Sequence, residues 1–128
     1  MKTRILNLLG LAVLLGTTLA CTSPATGRSE RVEVRIANQS AQDFERVIVT
    51  FPSGAVDYGR VQKGAVTDYR PVEQAYRIAQ VEVLANGRTL TLQPQDYMGE
   101  NPLTPGNYTY ALWIDEGSGE LRLDLIDN

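Results

Sequence analysis

Histidine is absent from all 128 residues, and cysteine occurs once, at Cys21. Without an imidazole or a second thiol there can be no Ser-His or Cys-His nucleophile pair, no intrachain disulfide and none of the common zinc or copper ligand sets. Positive charge is not in excess either. The chain carries 12 basic and 15 acidic residues, a formal charge of -3, and Lys2 and Arg4 stand in the N-terminal segment, so the remainder is more acidic still. A body of that sign lacks the basic face that releases counterions from phosphate backbones, which excludes nucleic acid as an expected partner. No apolar run reaches the roughly 20 residues of a permanent membrane-spanning helix, and no glycine pattern has phosphate-loop spacing. No metal and no cofactor is expected.

What is present begins with a targeting pattern. Met1-Lys2-Thr3-Arg4 is a short positive stretch, and residues 5–15 form an apolar core interrupted only by Asn7, the layout of a secretory signal. The run extends through residue 20, with Gly16-Thr17-Thr18 weakening its end, and a retained anchor helix is the alternative. Leu19 and Ala20 then lead directly into Cys21. This segment resembles bacterial lipoprotein precursors, whose lipobox of the type Leu-Ala/Ser-Gly/Ala-Cys is lipidated on the cysteine sulfur and cut just before it. Thr18 departs from that pattern, where Leu is commonest. The resemblance implies a signal peptide over 1–20, lipid attachment at Cys21, and the membrane as partner through that group. A free or buried cysteine that happens to follow a signal is the plainer alternative. Each buried methylene of an acyl chain contributes about 0.8 kcal/mol, and one chain alone anchors marginally; the resemblance implies two or three. Thr22 in the next position is similar to outer-membrane-sorted lipoproteins of Gram-negative bacteria.

Residues 22–29, TSPATGRS, are small, polar, Pro or Gly apart from Arg28, and read as a linker. At about 3.4 Å per residue they reach at most roughly 27 Å. From residue 30 the apolar period is two. Val32, Val34 and Ile36 alternate with Glu33 and Arg35; Val47, Val49 and Phe51 repeat the pattern. Residues 55–60 and 65–70 are weaker strand candidates, 71–75 a candidate helical turn on Pro71, and 78–84 a strand. Asn86-Gly87 predicts a two-residue type I′ hairpin that sets Ala85 opposite Arg88, Val83 opposite Leu90 and Val81 opposite Leu92. A second hairpin over 107–126 pairs Asp115 with Glu120, Ile114 with Leu121, Leu112 with Leu123 and Tyr110 with Leu125. Its outward face then carries Trp113 beside Arg122 and Ala111 beside Asp124.

Seven or eight short strands without a long helix predict a single all-β domain over 30–128, an antiparallel sandwich with a small barrel as the alternative. Residues 103–110, LTPGNYTY, resemble the turn into a late strand of immunoglobulin-like and fibronectin type III-like domains. There a Tyr hydroxyl bonds back to the preceding loop. The body as a whole looks like the uncharacterised immunoglobulin-like domains of bacterial lipoproteins, a likeness that implies a fold and no activity.

Candidate chemistry is sparse. Trp113 with Arg122 is either an aromatic patch for a protein or glycan partner or a cation-π pair covering a sheet. The tyrosines at 58, 69, 76, 97, 108 and 110 suit glycan stacking, and equally suit strands. Asp115, Glu116, Glu120, Asp124 and Asp127 offer oxygen ligands, but without EF-hand spacing they read as a solvated turn. Asp57, Asp96 and Glu100 are the acids a glycosidase would draw upon. Asn38-Gln39-Ser40 and Asn107-Tyr108-Thr109 match a glycosylation sequon. The expectation is an exported, lipid-anchored, non-enzymatic binding or assembly module of the cell envelope, with a carbohydrate-binding or acidic-site hydrolase as the alternative.

Overall fold

The computed structural model describes residues 30–95 and 100–128, so Cys21, the signal segment and the linker lie outside the described residues. Eight strands follow in chain order: β1 Val32–Asn38, β2 Phe44–Phe51, β3 Gly54–Val61, β4 Arg70–Val72, β5 Gln80–Ala85, β6 Arg88–Leu92, β7 Gly106–Ile114 and β8 Leu121–Asp127. They form two four-stranded sheets, β4-β1-β7-β8 and β3-β2-β5-β6. The period-two alternation explains why the sheets pack face to face. Val32, Val34 and Ile36 of β1, Val47, Val49 and Phe51 of β2, Val81 and Val83 of β5, and Tyr110 and Leu112 of β7 meet in one buried layer. The sheets do not close on each other, so the sandwich stands and the barrel does not.

Both hairpins have the expected register. Val81 faces Leu92 and Val83 faces Leu90, and Asn86 and Gly87 both take positive φ, 52° and 71°, as a type I′ turn requires. In the second hairpin Ile114 faces Leu121, Trp113 faces Arg122 and Tyr110 faces Leu125.

Three local expectations are corrected. The sandwich is not wholly antiparallel, because β1 and β7 run parallel at the centre of the first sheet, with Val34 beside Tyr108 and Ile36 beside Tyr110. The chain between them builds the second sheet, which supplies the long crossover that a parallel pair needs. Residues 71–75 do not begin with a helical turn: Pro71 sits in edge strand β4 opposite Glu33, where a missing N–H faces no neighbour. Residues 65–70 make a single bridge, Ala37 with Val66, before β4 starts. Beside it Ile36 donates its N–H to Thr67 Oγ1 at 3.0 Å, a side chain taking the place of a ladder carbonyl.

Two polar clamps hold the ends. Tyr108 donates its hydroxyl to Thr104 O at 2.7 Å, closing the corner the sequence suggested. Asn38, 1% exposed, donates to the carbonyls of Val61 and Gln42 at 2.9 Å each, while its Oδ1 accepts from Ser40 N and Oγ. Asn38→Ala therefore takes the side-chain donor from the Val61 carbonyl, while the Gln42 carbonyl keeps the Ser40 hydroxyl, and is expected to cost about 1–3 kcal/mol, whereas Tyr108→Phe is expected to cost about 1 kcal/mol. Urea denaturation measures both, and equal losses would contradict the clamp assigned to Asn38.

Candidate functional site

The parallel register of β1 and β7 decides which side chains share the outward face of the first sheet. Arg35, Ala37, Thr109, Ala111 and Trp113 lie in its two central strands, with Arg122, Asp124 and Ile126 on β8. Val66 joins the row through its bridge to Ala37. Val66 is 48% and Ile126 39% exposed, the exposed large hydrophobics among the described residues, and they lie on opposite margins of this face. Between them the surface is low and small, since Ala37, Thr109 and Ala111 are buried. Trp113 stands half-buried in the next row. Arg35 stacks 4.7 Å from the centre of the Tyr69 ring and donates to Thr109 Oγ1 at 2.9 Å. Asn128 donates to the same hydroxyl at 2.6 Å.

Trp113 and Arg122 are cross-strand neighbours as the sequence implied. Their guanidinium-over-indole pairing is not what the structure shows. Arg122 turns to Glu120 at 3.2 Å and Asp115 at 3.5 Å, and the cation-π contacts among the described residues are Arg35 with Tyr69 and Arg70 with Tyr58. Two carboxylates attract the cation more strongly than a ring quadrupole at this exposed site. Trp113 is thereby left with its face unclaimed by that cation.

The outer face of the second sheet differs in its surroundings. Ile48 and Leu84 are half-buried at its centre, Glu82, Thr89 and Thr91 stand exposed around them, and Arg46 donates from Nε to Asp57 Oδ2 at 3.0 Å. The Asp57 carboxylate accepts this bond and the Gly59 N–H at 2.8 Å, and the Arg46 bond above all holds its pKa below the ordinary value. It is thus a strand-to-strand tie, not a free acid.

At the end of the sandwich where β1 finishes, a cleft of about 290 Å³ opens between the β1–β2 loop and the two hairpin tips, lined among others by Ser40, Gln42, Asn86, Arg88, Ile114 and Glu116. Asn86 Nδ2 donates to Gln42 Oε1 at 2.7 Å across its base. Asp115 also borders it, but its Oδ1 accepts from Gly117 N at 2.8 Å and its Oδ2 meets Arg122. That carboxylate is spent on its own turn. Among the described residues no group of three or more metal-ligating side chains gathers. Asp96 and Tyr97 lie outside the described residues; Glu100 is half-buried in the loop before β7.

The tyrosines divide sharply. Tyr58, Tyr108 and Tyr110 are buried, their hydroxyls donated to the carbonyls of Val34, Thr104 and Tyr76, and burial pushes the Tyr58 phenol far up. Tyr69 is covered by Arg35. Tyr76 is half-buried and accepts from Gln74. An array of tyrosine faces for stacking sugars is therefore not assembled from the described residues. Sequence reasoning missed Asn38 as a clamp, seeing only a sequon; Asn followed by Ser two residues on, at a strand end, is the Asx-turn signal that could have found it.

No family model matches the chain, and no curated protein does. Among solved structures the fold is similar to that of a protein from Eubacterium rectale determined by NMR, at a TM-score of 0.57 and 15% identity, over 77% of this chain and 91% of that one. The likeness is one of fold alone.

Because the folded pKa of Asp57 is depressed, its contribution is complete above the unfolded value of about 3.9 and is lost as pH falls through the folded value. Asp57→Asn is expected to melt below the parent at neutral pH and to converge with it below about pH 4. A thermal-melt series across pH measures this, and a gap that persists unchanged into acid would contradict the tie.

Proposed function

We propose that this chain is a lipid-anchored lipoprotein of the cell envelope, attached through Cys21, whose β-sandwich is a non-catalytic binding module presenting the outer face of the first sheet to an envelope protein. The observation that carries the reading is the asymmetry of the two outer faces. One carries the exposed large hydrophobics Val66 and Ile126 and a half-buried Trp113 around small buried residues, while on the other half-buried Ile48 and Leu84 are surrounded by exposed Glu82, Thr89 and Thr91 and by the Arg46–Asp57 ion pair. Half-exposed Trp flanked by apolar and Arg side chains is the composition of interface centres.

Topology adds an orientation to the proposal. β1 begins at Val32, beside Gly106 and Val72, so the tether joins the sandwich at that end. The cleft and the tips of the β5–β6 and β7–β8 hairpins lie at the other end. With a linker of roughly 27 Å at full stretch, the outer face of the first sheet stands within reach of partners near the membrane surface, and the cleft points away from it.

Two measurements test the reading separately. Intact mass of membrane-extracted protein is expected to show an acylated N-terminus at Cys21, and Cys21→Ala to lose both the acyl mass and membrane fractionation; an unmodified chain starting elsewhere contradicts the anchor. A photo-crosslinking residue in place of Trp113 is expected to give a discrete envelope-protein adduct, and the same residue in place of Thr91 on the opposite face none. Equal adducts from both positions, or none from position 113, contradict the role assigned to this face.

A further inference from the structure

Four strands end the two sheets, and three of them are guarded against pairing with another chain. β4 has three residues and contains Pro71. β3 is bent by register shifts against β2 and by Gly59 at φ 77°. β6 has only five residues. β8 is neither short, bent nor interrupted: it runs seven residues with no proline or glycine and no irregularity in its pairing with β7, and its exposed charges, Arg122, Asp124 and Asp127, are of both signs. An edge of that kind is a template for a further strand.

The ladder identifies which of its backbone groups are free. Asp115 donates its N–H to Glu120 O at 2.8 Å, and Asn128 donates to Asn107 O at 3.0 Å. In antiparallel pairing these two bonds fix the phase: Glu120, Arg122, Asp124, Ile126 and Asn128 direct N–H and C=O towards β7, and Leu121, Leu123, Leu125 and Asp127 direct theirs outward. No backbone bond to those outward groups is made among the described residues. Leu123 and Leu125, on the inner face of the same edge, are only partly buried, as are Leu90 and Leu92 of β6 in the other sheet. The margin of the sandwich between β6 and β8 is thus incompletely covered.

The geometry points to a second copy of this chain as the occupant of that edge, its β8 pairing antiparallel with β8 about a two-fold axis at Leu123. This register sets the outward N–H and C=O groups of Leu121 and Leu123 against those of Leu125 and Leu123 of the second copy. It also sets Arg122 opposite Asp124 of the second copy, twice by symmetry. Both are non-hydrogen-bonded pairs, where cross-strand side chains come closest. Moving the axis by one residue puts Asp124 against Asp124 or Arg122 against Arg122, like charges directly opposite. Charge therefore selects one register among those the backbone allows. The product is a continuous sheet of two β4-β1-β7-β8 units, a closed isologous contact that removes both unguarded edges. The Arg122 contacts within its own chain do not oppose this, because they are exposed, with Arg122 48% accessible, and weak. The inference stands without the lipid anchor.

Sedimentation velocity of the full chain in density-matched detergent tests it. The parent is expected to dimerise. R122D and D124R each turn two attractions into two repulsions and are expected to weaken dimerisation at least about tenfold, while R122D/D124R restores it. Restoration cannot come from the intrachain contacts of Arg122, which R122D and the double variant both lack. Circular dichroism checks that each variant folds, and membrane fractionation, which reports the anchor, is expected to be unchanged in all three. A parent that stays monomeric, a dimer indifferent to the single changes, or a double variant that remains as weak as the singles overturns the proposal.

Discussion

The parallel pairing of β1 with β7 is the constraint on which the rest of the structure depends. β1 lies between β4 and β7, so it joins the last hairpin of the chain to the only other strand of its sheet. The joint closes a loop that contains every residue between Asn38 and Gly106, and the second sheet packs against it through Phe44, Val47 and Val81. Non-local closure of this kind is slow to find, because loop entropy is lost before the contact is gained. Once made, it sets three things together: which residues share the outer face, at which end β1 enters the sandwich, and which strand is left at the edge.

The same joint explains what was legible in the sequence and what was not. Hairpins are written locally. Asn86-Gly87 demanded one turn type, and that turn fixed the pairing from Ala85 to Leu92; Gly117 and Gly119 marked the second loop, and Ile114 opposite Leu121 followed. Alternation likewise told which side of each strand was buried. It could not tell that β1 runs alongside β7, because Val32, Val34 and Ile36 read the same whether their neighbour is parallel or antiparallel. Nor could it place Pro71. A proline followed by Val, Glu and Gln suits a helix start by propensity, and only the position of β4 at a sheet edge makes a strand acceptable.

For the candidate site the pattern was similar. Facing Trp113 with Arg122 was read correctly from the turn, but the direction taken by Arg122 was not, since Asp115 and Glu120 come within reach only once the hairpin loop is folded. The tyrosines were ambiguous by composition, and packing resolved them: three hydroxyls are donated to backbone carbonyls inside the sandwich. Aromatic content that composition leaves open for ligand stacking is largely absorbed by the core. The unguarded edge of β8 was not visible at all before the strand order was known.

The β1–β7 joint can be measured directly by native-state hydrogen exchange. If it holds the sandwich closed, the amides that β1 and β7 bond to each other exchange only through global unfolding, with the same free energy as those of β2 and β5 in the second sheet. The contrary result would be β1 amides that exchange well below that free energy while β5 stays protected. A detachable first strand would dissolve the outer face and remove the surface on which the proposed binding role rests.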